Sequence, residues 1–110
     1  MTDERIEKIK SAVEAADHIS PEKKAELLAV LAKLQPAITK VAKTHEEEAQ
    51  SISRFVEASA HEATRREKRP EYLNKLTDEL RRSVEKFEAS HPQLTAFVTE
   101  YSALLSALGV

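Results

Sequence analysis

The hydrophobic positions of this chain recur every three or four residues along most of its length, which is the period of an amphipathic α-helix. The narrowest apolar stripe, spaced like the seam of a coiled coil, is formed by Leu73, Leu76, Leu80, Val84 and Phe87. The sequence holds one glycine in 110 residues, which leaves little for tight β-turns. The pattern therefore predicts an all-α protein.

Four prolines divide this helical pattern, at positions 21, 36, 70 and 92. Proline is tolerated in the first turn of a helix and disruptive deeper inside it. Ser20 before Pro21 also reads as a helix N-cap. The prolines and the apolar period together predict helices at about 3–18, 21–35, 37–69, 71–89 and 92–108.

The predicted helix at 37–69 determines the expected shape. At about 1.5 Å per residue it would extend roughly 50 Å, whereas a compact chain of this size has a radius of gyration of about 13 Å. We therefore expect an elongated antiparallel helical bundle of four to five helices around one long central helix, completed by a homodimer contact. Alternatively, Pro36 kinks one continuous helix over 21–69.

Composition excludes several kinds of site. Cysteine is absent, which excludes disulfides and thiolate metal sites and suits a cytoplasmic protein. The net charge is −2, so we expect no nucleic-acid partner. No apolar run approaches the length of a membrane span, and the sequence holds neither a glycine-flanked serine elbow nor a phosphate loop. The expected protein is thus not an enzyme and uses no cofactor.

Two pairs of histidine and glutamate raise the question of a metal site. His45 and Glu48 lie three residues apart, as do Glu88 and His91. If the chain folds back at Pro70, the two pairs would face each other like the Glu-x-x-His ligands of di-iron helical bundles. The alternative is that His45 is a semi-polar residue of the helical seam and that His91 supports a helix cap.

A basic tract follows at the end of the predicted long helix. Its cations are Arg65, Arg66, Lys68 and Arg69, and they would suit an acidic partner. Alternatively, these cations offset the helix dipole at a helix C-terminus.

The second half of the chain resembles a known group of proteins. The residues that carry the resemblance are residues 83–95 (SVEKFEASHPQLT), residues 104–110 (LLSALGV) and residues 61–66 (HEATRR). They are similar to a family of short bacterial all-helical proteins classed as a domain of unknown function. The resemblance implies a bacterial cytoplasmic helical protein, directs attention to Phe87, Glu88, His91 and Pro92, and supplies no catalytic residues.

Three functions are consistent with these patterns. The first is a non-enzymatic assembly or interaction protein that self-associates through its long helices. The second is a metal-binding helical bundle, and the third is a regulator that contacts an acidic partner through residues 65–69.

Overall fold

Five α-helices follow one another along the part of the chain that the computed structural model describes, residues 3–67 and 69–109, with no strand among them. The prediction of an all-α helical bundle is confirmed. The helices are α1 (Asp3–Ala15), α2 (Pro21–Ala42), α3 (Glu46–Ala63), α4 (Pro70–Val84) and α5 (Pro92–Gly109). A 3₁₀ turn at Glu85–Phe87 continues α4.

Helix α3 lies at the centre of the bundle and contacts each of the other four α-helices. Its buried face is built largely from small side chains, such as Ala49, Ser59, Ala60 and Ala63. Small side chains let neighbouring helices approach closely. Helix α1 lies at the edge of the bundle and contacts α2 and α3 but neither α4 nor α5.

The prediction of one helix over 37–69 is wrong, and so is the alternative of a continuous helix over 21–69. Helix α2 runs through Pro36 and ends at Ala42, and α3 begins at Glu46 after three intervening residues. Pro36 is exposed, as is Ala32, whose carbonyl loses its usual partner because proline has no N–H. An exposed carbonyl is open to hydration, so the lost hydrogen bond costs less here than in the core, and the helix continues past the proline.

The break between α2 and α3 lies instead at residues 43–45. The amides of Thr44 and His45 both donate to the carbonyl of Val41, at 3.2 and 2.8 Å. The three glutamates at 46–48 then occupy the first turn of α3, where negative charge is favoured by the helix dipole. This acidic run therefore marks a helix start rather than the middle of a long helix.

The shorter helices pack side by side, so the elongated shape that the long helix implied does not form. The radius of gyration is 13.0 Å, with extents of 38 × 26 × 20 Å, which is the compactness expected of a chain of this size. Within residues 4–67 and 69–108, Tyr72 is the one exposed large hydrophobic side chain, at 43%. Among the described helices there is thus no long projecting one for a second copy to cover, and the homodimer stays a prediction.

Candidate binding groove

A groove of about 500 Å³ runs between α1 and α3 on the outside of the bundle. Small-molecule sites commonly have volumes of roughly 300–1,000 Å³. We call it the α1–α3 groove, and it is lined by Lys8, Ile9, Ala12, Arg54, Glu57, Ala58, Ala60 and His61.

Alanine lines the groove from both helices. Ala12 of α1 and Ala58 of α3 are both half-buried and both line the groove. A methyl group fills less of the space between two helices than a longer side chain does, which is consistent with an open groove at these positions. Ile9 and Ala60 are buried beneath it, so the floor of the groove is apolar.

The wall of the groove contributed by α3 follows helical spacing. Arg54, Glu57, Ala58 and His61 occupy positions i, i+3, i+4 and i+7, which places them on one face of the helix. Lys8 and Ala12, four residues apart, form the matching face of α1. Helical spacing in the sequence indicates each of these two faces separately. It does not indicate that the two faces line the same groove.

The charged groups of the groove leave it net positive. The carboxylate of Glu57 is paired with Arg5, with 2.8 Å between Arg5 Nε and Glu57 Oε2. Lys8 and Arg54 are exposed, and neither side chain has a hydrogen bond or ion pair with any described residue. The favourable i,i+4 partner of Lys8 on a helix would be Glu4, yet that pair does not form.

Two of the four predicted metal ligands, His45 and His91, lie around the same aromatic ring. His45 and His91 both approach Phe87 edge-on, with ring centroids 5.2 and 5.8 Å from that of Phe87. Glu48 is 3.6 Å from the ammonium of Lys86. Phe87 and His91 thus lie beside His45, as the predicted reversal of the chain at Pro70 implied.

The buried phenyl ring of Phe87 lies against both imidazoles. His45 Nδ1 is 2.9 Å from Thr44 Oγ1, and Glu88 is exposed. Across residues 3–67 and 69–109, no group of three or more His, Asp and Glu side chains is arranged to hold a metal ion. The predicted set of His45, Glu48, Glu88 and His91 is therefore not assembled as a metal site.

The arginines of the basic tract are engaged within the molecule. Arg69 donates two hydrogen bonds to the Glu62 carboxylate, at 2.7 and 2.8 Å, and its guanidinium lies 4.8 Å from the ring centroid of Tyr72. Arg65 lies 4.0 Å from Glu62, and Arg66 pairs with Asp17. Lys68 lies outside the described residues.

Glu62 explains why this tract folds back on the chain. Its carboxylate is 3% exposed, and burying an unpaired charge is costly. The hydrogen bonds from Arg69 hold the pKa of Glu62 below its usual value, although burial acts in the opposite direction. The same pair raises the pKa of Arg69. Arg69, the residue before α4, is thus tied to the end of α3.

Comparison with known proteins gives no match to a family model, a curated protein or a solved structure. The resemblance to a bacterial domain of unknown function therefore stays a prediction. No helix in the described part of the chain is long and apolar enough to cross a membrane.

The residues that the sequence reasoning missed are Lys8 and Arg54. Charged residues make up 33% of the chain, so two more on helix surfaces do not stand out in the sequence. A partial signal is present at Arg54, since Gln50 stands four residues before it, where a glutamate would be its favourable helical partner. Lys8 carries no such signal, because Glu4 stands at the pairing distance.

Proposed function

We propose that this protein is a non-enzymatic binding module and that the α1–α3 groove is its binding site. The observation that supports this most directly is the combination of an apolar floor, formed by Ile9 and Ala60, with two cations that have no partner in the described chain. The carboxylate of the groove is engaged by Arg5. This arrangement suits holding a ligand rather than transferring a proton.

The basic tract supports an external partner less well than the groove does. Arg65, Arg66 and Arg69 already contact carboxylates of the same chain, so a partner would have to displace those contacts. Contact with an acidic partner and self-association stay predictions, as does a cytoplasmic location.

The proposal is tested by mapping where small molecules bind. A panel of neutral, anionic and cationic fragments is titrated into isotopically labelled protein, and backbone amide shifts are followed by NMR. We expect the perturbed amides to cluster at residues 5–12 and 54–61. Perturbations confined to another part of the molecule, or none across the panel, would contradict the proposal.

A groove-filling variant sharpens this test. Ala58→Leu places a larger side chain in the groove and is expected to abolish the fragment shifts. Ala29→Leu makes the same change at an exposed position of α2, which is not among the residues lining the groove, and is expected to leave them unchanged. Circular dichroism and thermal melting of both variants establish that each remains folded. If a folded Ala58→Leu protein binds the fragments as the wild type does, the groove is not the site.

A further inference from the structure

We infer that the α1–α3 groove takes a small molecule with an apolar body and a single carboxylate group. This inference rests on the proposed function, because it names the class of ligand for the same groove. It follows from the nature of the floor, from the charge at the rim and from the size of the space.

The floor recognises the apolar part of the ligand. Ile9 and Ala60 are 3% and 1% exposed, and the half-buried Ala12 and Ala58 extend the apolar surface along the groove. Burying apolar surface contributes about 25 cal/mol per Å². A hydrocarbon tail or an aromatic ring therefore gains free energy by lying along these side chains.

The rim recognises the acidic part. Among the lysines and arginines of the described chain, five side chains have no hydrogen bond or ion pair: Lys8, Lys40, Lys43, Arg54 and Lys75. Two of these, Lys8 and Arg54, line the same groove from opposite helices. A guanidinium and an ammonium next to an apolar surface favour a carboxylate, which accepts charge-assisted hydrogen bonds from both.

The other pair of unpartnered cations lacks such a floor. Lys40 and Lys43 border a more open depression that is lined by Gln35, Pro36 and Thr39. None of these side chains is buried, and all five belong to α2 or the residue after it. A ligand there would meet charge without apolar contact, so the α1–α3 groove is the better site for an amphiphile.

The size of the groove favours a small molecule over a peptide helix. Its volume of about 500 Å³ lies within the range of about 300–1,000 Å³ for small-molecule sites. A protein partner would bury about 800 Å² on each side of the interface and would require a longer apolar face than these four side chains offer.

The test compares three probes that share one tail. Octanoate, 1-octanol and octylamine are titrated into the full chain below their critical micelle concentrations, with affinity measured by calorimetry and the site by NMR. We expect octanoate to bind at residues 5–12 and 54–61 about threefold to tenfold more tightly than octanol, the gain of a partly exposed charge-assisted contact. Octylamine is expected to bind more weakly than octanol.

Charge-neutralising variants then identify the cations. Lys8→Gln and Arg54→Gln are each expected to weaken octanoate binding about threefold or more and to leave octanol binding unchanged. Lys75→Gln removes an unpartnered cation of α4 and serves as the matched control, with no expected effect. All three positions are exposed, so the variants should fold as the wild type does.

The outcomes separate the two proposals. Equal affinity for octanoate and octanol at the groove would overturn the carboxylate inference and leave the groove as a binding site. Octanoate binding that is lost equally in Lys75→Gln, or that maps elsewhere on the molecule, would also overturn the inference. If neither these probes nor the wider fragment panel perturbs the groove, the proposed function fails as well.

Discussion

Two buried serines in the core differ in their hydrogen bonds. Ser59 Oγ lies 3.0 Å from the carbonyl of Val56 and 2.9 Å from the hydroxyl of Tyr101, and that hydroxyl also donates to Val56 at 2.9 Å. Burial raises the pKa of Tyr101 far above its usual value, so the phenol keeps its proton. Ser102 Oγ is buried without a hydrogen-bond partner in the described chain.

Opposite effects on stability are therefore expected from removing the two hydroxyls. Ser102→Ala should raise the free energy of unfolding by about 1 kcal/mol, because it removes a buried polar atom that gains no hydrogen bond. Ser59→Ala should lower it by about 1 kcal/mol through the lost contact with Tyr101. Urea denaturation of both variants checks this, and a Ser102→Ala protein less stable than the wild type would show that the hydroxyl does have a partner.

The pair between Glu62 and Arg69 makes stability depend on pH. Because the folded pKa of Glu62 lies below 4.5, the unfolded chain takes up this proton first as pH falls. The contribution of the pair is complete above the unfolded pKa and is lost as pH falls through the folded pKa.

We expect Glu62→Gln to reduce the melting temperature at neutral pH and to flatten its fall below pH 4.5. Thermal melts of wild type and variant across that range measure the difference. Asp78→Asn, which removes a carboxylate that pairs with Arg81 on the surface, is the control and should change little. Parallel curves for wild type and Glu62→Gln would show that the carboxylate contributes nothing.

At the scale of the element, the local signals for helix starts were informative. The amide of Lys23 donates to Ser20 Oγ at 3.2 Å, which confirms the predicted cap of α2, and α4 and α5 begin at Pro70 and Pro92. The wrong boundary came from treating Pro36 as a helix start and the glutamates at 46–48 as helix interior. Proline can stand at a helix start or, where its neighbours are exposed, inside a helix. Glutamates can lie in a first turn or on an exposed face. Local sequence therefore left this boundary open.

Pro36 lies inside α2 and should cost stability. Replacing it with alanine restores an N–H that can donate to the carbonyl of Ala32. We expect Pro36→Ala to raise the free energy of unfolding by about 2 kcal/mol, less than the full helix-interior penalty of about 3 kcal/mol because proline also restricts the unfolded chain. Urea denaturation measures the change. No gain would indicate that α2 is already adapted to the proline.

At the scale of the whole molecule, the five helices share one core that extends from Ile6 to Leu108. With Tyr72 as the one exposed large hydrophobic residue of the side chains described, the surface offers little apolar area for a stable dimer, which usually buries about 800 Å² per partner. Light scattering at micromolar concentration tests the predicted homodimer. A mass of 12.3 kDa would contradict it, and a mass twice as large would support it.

The position of α1 at the edge of the bundle predicts its dynamics. It contacts two helices, whereas α3 contacts four, so opening α1 disrupts fewer contacts than opening α3 does. Amide hydrogen exchange at residues 6–13 should be faster than at residues 52–60. Occupation of the α1–α3 groove should slow exchange in α1 most, because the ligand bridges it to α3. Equal protection of both helices without ligand would contradict this.

The sequence by itself determined the helical class, the approximate position of most helices and the polarity of their faces, because helix period, proline and capping are local properties. The tertiary structure decided where the long segment at 37–69 breaks, which carboxylates the arginines of the basic tract meet and which alanines line one groove. Glu62 meets Arg69 seven residues away only because the turn reverses the chain, and no helical spacing encodes that contact. Contacts between elements depend on how whole helices share one core, which brings together residues far apart in the sequence.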